Sequence, residues 1–206
     1  DRPLFEWGSQ ALPKMEANNN TTIGGLQLVE HLSAVLGLLE GPKYNIHVSE
    51  PELPLFDGSA WLWARALSEK GTLSPRYKLF DSALSLDLQY GNTRLICEPA
   101  HEFQVHYILE EFGQEHIFNT ASSDVQMEIF PCRTFIKNDI LAQHKDNWPG
   151  LKERMGIVID QALPLKLGHG GPLRFSDELA RHKILDLLGD LLLWNGKLPK
   201  LKIQIV

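Results

Sequence analysis

Two aliphatic runs in this sequence carry histidines and carboxylates at helical spacing, the side chains that bind divalent cations and move protons. Between Leu26 and Leu39, nine positions are Leu, Val or Ala. Within that run Gln27, Glu30 and His31 stand at i, i+3 and i+4, on one face of a helix. Farther along, every side chain from Ile184 to Trp194 is apolar except Asp186 and Asp190, with Gly189 between them. His182, Asp186 and Asp190 stand at i, i+4 and i+8, forming one slowly drifting stripe. A helix that is apolar nearly all round is normally buried, so the polar stripes admit two readings. In one, each stripe is the solvated edge of an amphipathic helix, and the His-x3-Asp spacing arises by chance. In the other, the stripes face each other across a cleft and hold a cation. His31, His182 and Asp186 then match the three protein ligands of a catalytic zinc site, whose open position holds a water with its pKa lowered to about 7. Glu30, adjacent to His31, would accept that water's proton as general base.

The elements that must carry these residues follow from periodicity and punctuation. Ile23 to Glu40 predicts a helix, led in by a turn at Asn18–Thr22 and stopped by Gly41-Pro42. Tyr44 to Ser49 alternates and predicts a strand. Glu50 to Ser59, with Pro51, Pro54 and Asp57-Gly58, predicts a loop, and Ala60 to Glu69 a second helix ended by Lys70-Gly71. Between Tyr77 and Glu111, the stretches LSLDLQY, TRLICE and EFQVHYILEE predict a β-meander. A helix is expected near Ile136–Lys145, a strand at Gly156–Asp160 and a turn at Leu167–Pro172. Ser176 then caps a long helix running to about Trp194, with Asp177 and Glu178 suiting the dipole of its first turn. Asn195-Gly196 ends that helix, and Lys200 to Val206 is a closing strand. Residues 1–72 and 73–206 repeat one plan of strand-rich chain, long helix, turn and strand. Two α+β layers meeting near Gly71–Pro75 are the economical architecture.

Composition narrows the classes of function. A chain of 206 residues buries roughly 70 % of the surface its unfolded form exposes and folds without staples. With 43 % hydrophobic and 22 % charged residues, disorder, collagen and coiled coil are excluded. No run approaches the ~18 apolar residues of a membrane span, and no signal segment is expected at the start. Twenty Lys and Arg against twenty-six Asp and Glu, a net charge of −6, disfavour a nucleic-acid partner but leave room for a local anion site. Cys97 and Cys132 are too few for a disulfide framework or a four-thiolate zinc site, so a reducing cytoplasm is expected.

The remaining polar candidates have plain readings. His47 and His106 fall within alternating stretches and suit surface or packing roles. His101, His116, His144 and His169 lie in polar or loop segments, His169 between glycines where a cleft rim would be. Asp57-Gly58-Ser59 suits a turn with Ser59 as N-cap. Trp61 and Trp63 suit packing, and the two cysteines are small buried hydrophobes.

Four strings occur in a telling order: VEHLSAVLGLL from Val29 to Leu39, ELPLFDGSA from Glu52 to Ala60, CRTF from Cys132 to Phe135, and LRFSDELARHKILDLLGDL from Leu173 to Leu191. Together they resemble the UDP-3-O-acyl-N-acetylglucosamine deacetylases, zinc-dependent amidases of lipid A biosynthesis in Gram-negative bacteria and some plants. The resemblance runs from about Thr21 to Val206, with Asp139–Gly171 outside it. It implies two α/β-sandwich lobes related by a pseudo-dyad, 1–72 and 73–206, with the active site between them. It implies Zn2+ on His31, His182 and Asp186, with Glu30 as general base. Thr134 would stabilise the oxyanion, and Phe135 would contact substrate. Lys183 would lie by the substrate's diphosphate, and Asp190 would orient a further histidine. The implied activity is hydrolytic deacetylation of an acylated UDP-amino sugar by a cytoplasmic monomer without stable membrane insertion. The alternative is an impaired or regulatory relative that binds a sugar nucleotide and keeps a structural metal. The family also has a Gly-x-x-His-Ser-Gly signature in its first strands, which does not occur in this sequence, and a Gly-His pair after its last strand, which does not follow the closing strand here. The expectation is therefore a piece of a longer protein, the alternative being a short paralogue in which Asp190 has lost its partner. Gln161–Pro172 is short and glycine-rich beside the family's apolar insert.

Overall fold

A computed structural model describes residues 14–15, 21–144, 156–161, 166–169 and 171–206. Strands β1 (Lys14–Met15), β2 (Thr21–Ile23) and β3 (Leu26–Gln27) form a small antiparallel sheet. Gly24 and Gly25, at φ 56° and 83°, link β2 to β3. A two-residue hairpin loop with both residues left-handed is the turn that Gly-Gly favours. The helix predicted from Ile23 therefore starts later: α1 spans Glu30–Leu38, directly after Leu28 at φ 59° and Val29. Gln27 accordingly sits on β3 rather than on the helix face with Glu30 and His31. β4 (Leu39–Glu40) follows.

Tyr44–Ser49 forms no strand; residues 41–48 are mostly exposed and pair with no sheet, so alternation alone found no partner edge. α2 (Trp61–Ser68) forms within a residue of expectation. Its N-cap is Ala60, because the backbone N–H and hydroxyl of Ser59 both donate to Asp57 Oδ1 (3.0 and 2.7 Å) and close a turn instead. β5 (Ser74–Pro75) pairs with β4.

The meander supplies β7 (Leu86–Tyr90), β8 (Thr93–Pro99) and β9 (Gln104–Leu109), after a short β6 (Leu79–Phe80), and β10 (Gln114–Asn119) extends it. The closing strand, β15 (Leu201–Ile205), enters the middle of their sheet, whose order is β10-β9-β15-β8-β7. It runs antiparallel to β8 and parallel to β9, and just before it β14 (Leu198–Pro199) pairs with β6. The segment expected as helix near Ile136 opens as β11 (Phe135–Lys137), with α4 (Asn138–His144) behind it and α3 (Val125–Glu128) ahead. β11 pairs in parallel with β12 (Ile157–Gln161), and β12 pairs antiparallel with β13 (Lys166–His169). The turn expected at Leu167–Pro172 is thus partly strand.

The long helix α5 spans Glu178–Asn195 and ends at Gly196, left-handed at φ 65°. Asp177, not Ser176, is its N-cap, and the Asp177 carboxylate makes no cap bond. It is committed instead to Arg181 Nε at 2.7 Å and His116 Nδ1 at 2.9 Å.

The architecture is α+β. α5 lies over the five-stranded sheet and along α1, and the largest core joins Ala34, Val35 and Leu38 of α1 to Ile184, Leu185 and Leu188 of α5 and to Cys97, Val105 and Ile203 of the sheet. The helices touch because Gly189 brings the backbone of α5 against Glu30. The Ser33 hydroxyl donates to the Gly189 carbonyl at 2.7 Å beside that contact. Among the described residues no helix is long and apolar enough to cross a membrane.

Candidate metal centre

The contact between α1 and α5 removes the solvated-edge reading for the two histidines. His31 and His182 are 5 % and 1 % exposed, so neither stands on a solvated edge. Their Nε2 atoms lie 3.4 and 3.3 Å from the same oxygen, Asp186 Oδ1. One ligand atom from each of His31, His182 and Asp186 falls within 4.8 Å of the others. The rings stand edge to face, with centroids 5.0 Å apart. Two imidazoles and one carboxylate at this separation form the donor set suited to a borderline-soft divalent cation. The carbonyl of Cys132 faces His182 Nδ1 at 3.1 Å. A carbonyl only accepts, so Nδ1 is the donor to it, and Nε2 is the nitrogen that faces Asp186. Burial alone would raise the Asp186 carboxyl, but the charges of His182 and Lys183 and hydrogen bonds from both histidines hold it well below the usual range.

Glu30 opens α1, buried, where a helix N-terminus favours negative charge. Burial nevertheless pushes its carboxyl up to about 7, against the pull of His31 and with the charge of Asp186 adding to the rise. Asp190 is likewise raised by burial, to about 6, while a hydrogen bond from Thr21 works against the rise. Thr21 was not among the residues singled out by the sequence. On β2, its backbone N–H donates to Glu30 Oε2 at 3.3 Å and its hydroxyl to Asp190 Oδ1 at 2.7 Å. It therefore ties together two carboxylates borne by different helices. The Thr-Thr-Ile-Gly-Gly string, a hairpin signal, was the available clue.

Lys183 reaches Asp186 Oδ2 at 3.3 Å, and that carboxylate keeps its ammonium above the ordinary lysine value despite burial. Its Nζ lies 5.2 Å from the centroid of Phe135, whose ring also meets His182 edge to face. Tyr107 of β9 stands within reach of the same charges; burial, with Asp186, raises its hydroxyl against Lys183. Thr134 is held by its backbone, its N–H donating to Gly58 O at 2.7 Å and its carbonyl accepting from Ile157 at 2.9 Å.

The other candidates disperse. His47 and His101 are exposed, and His106 pairs with Glu115 at the surface, 2.8 Å away. His116, on β10 rather than in a loop, is half-buried against Asp177. His144 and His169 fall in α4 and β13, their side chains outside the described residues. Trp63 packs into the core, whereas Trp61 is exposed and not a packing residue. Cys97 and Cys132 are buried free thiols.

The chain is also similar to known proteins. Residues 10–202 match the family model described as LpxC, UDP-3-O-acyl N-acetylglycosamine deacetylase. Proteins named UDP-3-O-acyl-N-acetylglucosamine deacetylase are similar to the chain. That of Chlamydia caviae is 32 % identical over 174 residues, 79 % of this chain and 61 % of the relative. That of Chlamydia muridarum is 31 % identical over 180 residues, covering 82 % and 61 %. That of Synechocystis sp. is 32 % identical over 186 residues, covering 85 % and 66 %. The chain thus spans under two thirds of the length of these relatives.

Proposed function

Because this chain belongs to the UDP-3-O-acyl N-acetylglycosamine deacetylase family, we propose that it hydrolyses the acetamide of UDP-3-O-acyl-N-acetylglucosamine, a step of lipid A biosynthesis, in the cytoplasm. The observation that carries this reading is the convergence of His31, His182 and Asp186 within 4.8 Å, beside a buried Glu30. These three residues would hold Zn2+. When bound, zinc supplies Lewis acidity toward a carbonyl oxygen and makes a water acidic near pH 7.

The chain's own groups do the rest. Glu30 Oε2 is occupied by the Thr21 N–H, so Oε1 is the oxygen that takes the proton of the attacking water and returns it to the leaving amine. Thr134 donates toward the oxyanion. Lys183 supplies positive charge to the diphosphate, which lets an acidic protein hold an anionic ligand. Phe135, stacked under the Lys183 ammonium, forms a wall against the substrate. Asp190, tied to Thr21, steadies the far side of the site. The same reading divides the chain into 1–72, which brings Glu30 and His31, and 73–206, which brings the remainder.

The test is acetate release from this substrate by the full-length protein carrying one zinc per chain. Glu30→Ala is expected to lower the rate by ~10²–10⁴-fold. Zinc-loaded protein that releases no acetate refutes the enzymatic reading and leaves a sugar-nucleotide-binding relative in its place.

A further inference from the structure

Glu178 lies one helical turn before His182 on α5 and is 0 % exposed. Its Oε1 accepts the backbone N–H of Arg133 at 3.0 Å and Arg133 Nε at 2.8 Å. Its Oε2 accepts Arg133 Nη2 at 3.0 Å and the backbone N–H of Arg174 at 2.6 Å. Nη2 also donates to the Pro172 carbonyl at 2.9 Å. Arg133 is itself buried. A buried ion pair is weak as a source of net stability, because desolvation offsets most of its attraction. What it does well is fix geometry through charge-assisted, two-pronged hydrogen bonds.

The object being fixed is one peptide unit. The N–H that Glu178 takes belongs to the peptide between Cys132 and Arg133, and the carbonyl of that same peptide faces His182 Nδ1. Glu178 and His182, four residues apart on one helix, thus grip opposite ends of a single planar group. We propose that Glu178 and Arg133 are positioning residues for His182. By clamping the Cys132–Arg133 peptide they hold its carbonyl on Nδ1, keep the proton on that nitrogen, and aim Nε2 at the point shared with His31 and Asp186. A partner of this kind, one contact removed from the ligand, typically changes metal affinity by ~10–100-fold.

The proposal rests on the metal reading of His31, His182 and Asp186, and its test separates the two. In full-length metal-free protein, nitrogen-edited NMR is expected to find His182 protonated at Nδ1. The reverse tautomer overturns the proposal whatever any variant does. Glu178→Gln keeps shape and removes charge, and Arg133→Lys keeps charge and removes the fork. Each is expected to bind zinc ~10–100-fold more weakly in competition with a chelating dye, and to lose the ordered His182 Nδ1 proton signal. Melting of the metal-free variants shows whether the fold persists. Should Glu178→Gln not fold, Arg133→Lys and the tautomer of the unaltered protein decide. A folded variant with unchanged zinc affinity and an unchanged proton signal overturns the positioning role alone. Unaltered protein that takes up no zinc overturns the metal reading.

Discussion

Gly189 sits so close to Glu30 that a Cβ built on it would stand 2.7 Å from the Glu30 carbonyl carbon and closer still to its oxygen. Gly37, on the other helix, would place a Cβ 2.9 Å from atoms of the Leu192 side chain. Backbone cannot yield as a flexible side chain can. Gly189→Ala is therefore expected to destabilise the protein by roughly 1–3 kcal/mol or more, despite a helix-propensity gain of about 1 kcal/mol. It should also weaken zinc binding, since the contact sets the spacing between Glu30–His31 and Asp186. Gly37→Ala should do distinctly less of both. Thermal melts and calorimetric zinc titrations check this, and equal behaviour of the two variants would contradict it.

Thr21 joins Glu30 to Asp190 through separate atoms, so its hydroxyl can be removed without disturbing its backbone bond. In Thr21→Val the Asp190 carboxyl is expected to titrate above its value of about 6, because the lost hydrogen bond opposed the rise caused by burial. Thr21→Ser should restore the original value. Carbon-13 NMR of the carboxyl reads the shift directly, and an unmoved midpoint in Thr21→Val argues against the bond.

The pH dependence of the metal-free fold has a definite sign. Glu30 is raised from 4.5 to about 7 and Asp190 from 3.8 to about 6, so the folded state holds protons that the unfolded state has released. Their stabilisation is full below the lower values and is lost as pH climbs through about 6 and then about 7. Urea unfolding between pH 4 and 8 should show a decline that Glu30→Gln removes from its upper half. Zinc at pH 7 should restore stability by binding only the folded form. The same decline in Glu30→Gln would place its source elsewhere.

Neither thiol should react. Burial pushes Cys132 far above the ordinary range, Glu178 adds to that, and burial raises Cys97 also. The thiolate is the nucleophile, so alkylation of folded protein at pH 8 should proceed only at the rate of global unfolding. A rapid phase measured by mass spectrometry would contradict the buried placement.

Periodicity was sufficient for the long helix, which buries a continuous apolar face, and for the second helix and the meander, whose punctuation by Gly71 and Gly91 marked their ends. It failed at Ile23, where Gly24 and Gly25 turn the chain back before α1 begins; the aliphatic run concealed a hairpin signal in its first residues. It failed again at Tyr44–Ser49, where alternation describes a side-chain pattern and says nothing of a neighbouring strand. The cluster was legible as far as its members share a helix turn: His182 and Asp186 lie at i, i+4, and Glu30 precedes His31. The contacts of Cys132 with His182 and of Thr21 with Glu30 were not, since they depend on backbone groups brought in from distant segments. Glu178 carried a signal, its place in the first turn, that pointed to the helix dipole and gave no hint of Arg133.

The insertion of β15 between β8 and β9 also constrains how the molecule is made on the ribosome. β8 and β9 are adjacent in sequence yet do not pair; residues 201–205 must fill the gap between them. Until that stretch clears the exit tunnel, the nascent sheet exists only as two separate hairpins, and α5 has no finished floor to settle on. Closure joins segments about a hundred residues apart, a contact pattern associated with slow folding, so the half-built sheet is the stage at which a chaperone has most to protect.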